Sequence, residues 1–112
     1  MKAAIMGFGT VGSGVYEVLD RNREIIRKRA GEPIEVKHIL NRRELPGSPA
    51  EKLVVHEIGP ILDNTETGLV VETMGGTSPA YEYVKSCLQA GKHVVTSNKN
   101  LVAAHGTELL AI

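Results

Sequence analysis

The chain has 112 residues, 42% hydrophobic and 23% charged, the balance of one globular domain with a buried core. Thirteen basic residues meet thirteen acidic ones, so no net field favours a nucleic acid or a membrane surface, and the lack of Trp leaves little for nucleobases to stack on. A single cysteine, Cys87, excludes an internal disulfide framework, and glycines follow Met6 too soon for a secretory signal, so a cytoplasmic protein is expected.

The apolar run Lys2-Ala3-Ala4-Ile5-Met6 stops at glycines, as a buried parallel strand does. From Thr10 to about Ala30, Val11, Val15, Val18, Leu19, Ile25 and Ile26 recur at helical spacing, and Gly31 with Pro33 supply a stop. A second strand is expected over Ile34 to Leu40, burying Ile34, Val36, Ile39 and Leu40. Residues 41–52, with two prolines and a glycine, form a loop. Leu53-Val54-Val55 reads as a short third strand, followed by one or two helical turns to about Leu62. Gly68 to Glu72 is the fourth strand. Ser78 as N-cap and Pro79 in the first turn open a helix that runs to Ala90 and ends at Gly91. His93 to Thr96 is a fifth strand, and Leu101 to Ile112 starts a last helix.

Strand and helix alternate throughout, which predicts an α/β domain with a doubly wound parallel sheet of the Rossmann type. No Gly, Pro or polar stop closes the last helix. The expectation is therefore one domain, 1–112, truncated on its C-terminal side and part of a larger protein.

Gly7-Phe8-Gly9-Thr10-Val11-Gly12 follows a predicted strand and opens a predicted helix, the context that gives a GxGxxG motif its meaning. Gly7 suits the tight turn, Gly9 leaves room for a pyrophosphate, and Gly12 allows close helix packing. The helix N-terminus then offers free N–H groups and the positive end of its dipole to the phosphates. A site selective for NAD places an acidic residue after the second strand. Here that place holds Asn41-Arg42-Arg43, with Glu44 as the first acid beyond it. Two guanidiniums favour a 2′-phosphate, so NADP is preferred and NAD remains open.

Two further loops fall at the carboxyl edge of the predicted sheet, where ligands of such folds bind. Thr73, Gly75 and Gly76 lie in one, and their backbone suits the border of a ribose or nicotinamide. Ser97 and Lys99 lie in the other, where an ammonium can polarise a carbonyl or stabilise an alkoxide. Taken alone, Lys99 reads more often as a solvated surface lysine. His38, His56, His93 and His105 have no ligand spacing, so no metal site is expected. Cys87 reads as a packing residue.

Gly7 to Val15, Glu72-Thr73-Met74-Gly75-Gly76 and Val94-Val95-Thr96-Ser97-Asn98-Lys99 together resemble the homoserine dehydrogenases, over nearly the whole chain. The resemblance implies an NAD(P)-dependent oxidoreductase that interconverts aspartate semialdehyde and homoserine. It also implies that Phe8, Thr10, Val11 and Gly12 line the phosphates, and that Arg42 meets a 2′-phosphate. Lys99 would stand at the junction of nicotinamide and substrate, as the catalytic group. Ser97 stands where the family commonly has Ala, and Arg43 where it commonly has an acid. The family's dimerisation and substrate regions lie outside this chain, so it should bind cofactor without turnover, and the full-length enzyme should be a homo-oligomer acting on a small molecule. Another NAD(P)-dependent semialdehyde dehydrogenase and a non-catalytic nucleotide-sensing module remain as alternatives.

Overall fold

The computed structural model describes all residues, 1–112. Five parallel strands form one sheet: β1 (Lys2–Met6), β2 (Glu35–Leu40), β3 (Val54–Val55), β4 (Thr67–Glu72) and β5 (His93–Thr96), in the order β3-β2-β1-β4-β5. The chain steps outward from β1 to β3, then returns to the other side of β1 for β4 and β5. That reversal opens a crevice at the carboxyl ends of β1 and β4.

Ala3 to Met6 are fully buried because β1 is central and covered on both faces. Alternate residues serve opposite layers. Ala4 and Met6 join Leu40, Val70, Ile61 of α3 (Gly59–Asp63), Val84 and Cys87 of α4 (Ala80–Gln89), and Leu101 of α5 (Lys99–Leu110). Ile5 joins Ile39 and Ala50, covered by Phe8, Val15 and Tyr16 from α1 (Thr10–Arg21) and the turn before it. The sheet is thus wound on both faces, as the element order predicts. Cys87 is the packing residue expected, and burial pushes its thiol up to about 11. At the amino edge, the buried Lys92 ammonium donates to the carbonyls of Asn64 and Thr67, at 2.9 and 2.8 Å, pinning the start of β4 to the start of β5.

Strands β2, β3 and β4 each start one residue from the expected position, and three helix boundaries depart from the sequence reading for a physical reason. The helix expected over Thr10 to Ala30 breaks at Asn22 into α1 and α2 (Arg23–Ala30). The Asn22 amide side chain and backbone N–H both donate to Val18 O, at 3.1 and 3.0 Å, so a side chain competes with the helical ladder. No Gly or Pro marks that break. Helix α4 begins at Ala80, and the Ser78 hydroxyl donates to the Glu82 carboxylate instead of capping a first-turn N–H. Helix α5 begins two residues earlier than expected because Asn98 Oδ1 accepts from Leu101 N at 3.0 Å and caps it.

Candidate functional site

The sheet's hydrogen-bond ladder continues past the strand ends and aligns four loops along one edge. Gly7 N donates to Leu40 O at 2.8 Å, Thr73 N to Met6 O at 2.9 Å, Asn41 N to Val55 O at 3.1 Å, and Ser97 N to Glu72 O at 3.2 Å. Between the loops that follow β1, β2 and β4 lies a cleft of about 470 Å³, in the range of a small-molecule site. Gly7, Gly9, Arg42, Arg43, Thr73 and Gly75 line it, joined by His56 and Tyr83.

The glycine turn is shaped by close contacts. Gly7 has φ +92°, a backbone that disfavours a side chain. A Cβ on Gly12 would sit 2.3 Å from Gly7 O and 2.8 Å from Thr73 Oγ1, so the turn closes only around a glycine. At Gly9, by contrast, a Cβ would meet nothing within 4 Å. Gly9 is the N-cap of α1, with no side-chain cap and no acid in the first turn. The first N–H groups of α1 therefore have no side-chain partner under the positive end of the helix, a cradle that fits a pyrophosphate.

Not every residue expected at this site comes together. Phe8 lines the cleft, but its side chain packs on the Ile5 cluster and edge-on to Tyr16, ring centroids 5.9 Å apart. Thr10 and Val11 line a separate apolar hollow on α1 with Gly14, Val15, Val18 and Leu19. The Thr73 hydroxyl lies 3.0 and 3.2 Å from the carbonyl oxygens of Met6 and Gly7, so it braces the glycine turn. Gly12, Gly76, Ser97 and Lys99 lie outside the cleft lining. Lys99 is the first residue of α5, exposed, with neither ion pair nor hydrogen bond. A cation at a helix N-terminus opposes the dipole, so helix stability does not account for a lysine there.

Two groups carry structure the sequence did not assign. Glu72, fully buried, has no cationic partner. Its Oε2 accepts from Met74 N at 2.7 Å and its Oε1 from Thr96 Oγ1 at 2.5 Å. Thr96 Oγ1 in turn accepts from Asn98 N at 3.0 Å, and Asn98 Nδ2 donates to Gly76 O. One carboxylate thus joins the loops after β4 and β5 to the start of α5. His56 bridges Asn41 O at 2.9 Å and Glu44 Oε1 at 2.6 Å beside the two arginines, which have no carboxylate partner. A strand-end acid between Val71 and Thr73, and a histidine 12 residues beyond Glu44, are weak signals in sequence.

No group of three or more His, Cys, Asp or Glu side chains converges to hold a metal, and no helix is long and apolar enough to cross a membrane.

The sheet order, the glycine turn and the open helix N-terminus define a Rossmann-type dinucleotide-binding domain, one that holds NAD(P). Residues 7–112 match the family model described as the NAD-binding domain of homoserine dehydrogenase. The chain belongs to that family. It is 44% identical to the homoserine dehydrogenase of Pseudomonas aeruginosa and 40% identical to that of Lactococcus lactis, covering 99% and 97% of this chain but 26% and 27% of theirs. Crystal structures of homoserine dehydrogenases from S. aureus and Thiobacillus denitrificans superpose with TM-scores of 0.87, at 33% and 40% identity. Each match covers 99% of this chain and 29% or 26% of the other. The chain thus spans about a quarter of the length of the curated relatives it matches.

Proposed function

We propose that this chain is the cofactor-binding part of a homoserine dehydrogenase that prefers NADP and serves the aspartate-derived route to threonine, methionine and isoleucine. The whole enzyme interconverts L-homoserine and L-aspartate 4-semialdehyde, and bound NAD(P) supplies or accepts the hydride. The backbone from Gly7 to Gly12 meets the pyrophosphate at the start of α1, and the loop through Thr73, Gly75 and Gly76 borders the nicotinamide ribose. Lys99, beside Ser97 at the carboxyl edge, directs its ammonium to the substrate carbonyl and stabilises the oxyanion that forms there. The substrate-binding and subunit-pairing parts lie in the remaining length of the parent enzyme, a homo-oligomer. The chain alone is therefore expected to bind cofactor and give no homoserine oxidation. Turnover by the pure chain would contradict that division.

The observation that carries the cofactor preference is the pair of unpartnered guanidiniums, Arg42 and Arg43, lining the cleft at the end of β2. Only NADP offers them a phosphate, so Arg42→Ala is expected to lose roughly 1.5–3 kcal/mol of NADP affinity while NAD affinity changes little. Arg43→Ala should lose less, lying one residue further from the strand. Both losses should shrink as salt rises, because the contact is exposed and screened. Titration calorimetry with both cofactors at two salt concentrations tests this. Equal losses for NAD and NADP would reject the 2′-phosphate assignment.

A further inference from the structure

Beside Arg42 and Arg43, both ring nitrogens of His56 face oxygen acceptors: Nδ1 the Asn41 carbonyl and Nε2 the Glu44 carboxylate. An acceptor on each side calls for a proton on each nitrogen, hence an imidazolium. Asn41 Nδ2 also donates to Arg43 O at 2.9 Å, so the ring closes a knot over the turn that carries both arginines. Glu44 is the first carboxylate after β2, and a carboxylate at the end of that strand is what reads a free ribose 2′-hydroxyl. We infer that the His56–Glu44 pair is a specificity latch: His56 withholds Glu44 from the ribose, neutralises it, and leaves Arg42 and Arg43 to read a 2′-phosphate. This rests on the NADP preference proposed above. His56 is a positioning residue, acting through Glu44.

Glu44 and the Asn41 carbonyl contact His56 directly, and Arg42, Arg43 and Tyr83 line the same cleft. The hydrogen bond to Glu44, with a smaller contribution from the Asn41 carbonyl, raises the His56 pKa above its ordinary 6.5. The latch is therefore closed at low pH and opens as pH rises through that raised value.

The test measures NADP and NAD dissociation constants on the full chain for wild type, His56→Gln, Glu44→Gln, the double variant and Arg42→Ala, below and above the His56 titration. Both side chains of the pair are about half exposed or more, so each variant should keep the wild-type melting curve. His56→Gln is expected to lower the preference for NADP about fivefold, the scale of an exposed ion pair. Glu44→Gln should keep the preference, and the double variant should behave like Glu44→Gln. Wild type should lose preference with rising pH relative to Glu44→Gln, a comparison that cancels the titration of the 2′-phosphate itself. An unchanged preference in His56→Gln overturns the latch. So does an equal loss with Glu44 already replaced, which would mean His56 meets the phosphate directly. Arg42→Ala isolates the underlying reading: if it leaves the preference intact, the arginine assignment fails whatever the latch does.

Discussion

Gly12→Ala is expected to destabilise the fold by about 3 kcal/mol or more, whereas Gly9→Ala, in the same loop, should leave a folded protein that has lost its dinucleotide. The added methyl at residue 12 would lie 2.3 Å from Gly7 O and 3.0 Å from Gly7 C, and both are backbone. Thr73 Oγ1, the third neighbour, is held by the carbonyls of Met6 and Gly7 and cannot swing clear. Relief requires separating α1 from the end of β1, which would pull Phe8 and Val15 off the Ile5 cluster. At residue 9 a methyl meets no protein atom within 4 Å and φ is −81°, so the backbone is unstrained. Its only structural cost is a poorer N-cap, about 1 kcal/mol. The same methyl fills the cradle where a pyrophosphate would approach the N–H groups of α1. Urea unfolding followed by circular dichroism reads the first effect, and calorimetric titration of NADP and NAD reads the second. Undiminished cofactor affinity in Gly9→Ala would remove this turn from the site.

Glu72→Ala should be nearly as damaging, at about 3–5 kcal/mol, although the side chain is polar. Deleting the side chain strands the Met74 N–H and frees the Thr96 hydroxyl together, leaving two donors of the buried joint without their acceptor. Glu72→Gln should cost only about 1 kcal/mol, since one amide oxygen still accepts and the Thr96 hydroxyl can rotate to suit the new NH₂. The same variants bear on Lys99, because Thr96 and Asn98 set the start of α5 and Asn98 also holds Gly76 O. A Glu72→Ala chain should therefore show faster amide exchange over residues 74–77 and 97–101 than over β1 and β2. Uniform loosening, or a loss no larger than that of Glu72→Gln, would deny the carboxylate its joining role.

Local pattern was enough for the order of elements and for the first turn of the site. A run such as Ala3 to Met6, ended by glycine, has one economical solution in a chain with helical periods on either side: a central parallel strand. Gly7, Gly9 and Gly12 are legible for the same reason, since their spacing matters through backbone geometry close by in sequence. Helix caps were less so. The break at Asn22 and the early start of α5 at Asn98 depend on which acceptor or donor an amide side chain finds, and the apolar period is unaffected by either.

What tertiary structure alone decided are the partnerships between loops. Sequence places Arg42, His56, Thr73 and Lys99 on separate loops without saying which of them meet. The sheet order, with β1 between β2 and β4, brings the first three to one cleft and leaves Lys99 on a neighbouring loop. Glu72 looks like any acid at a strand end until the fold closes over it and turns its carboxylate into the joint between β4 and β5. Side-chain periodicity reports which face a residue occupies. It carries no information about the residue on another strand that will share its hydrogen bond, because that contact depends on the register of the whole sheet.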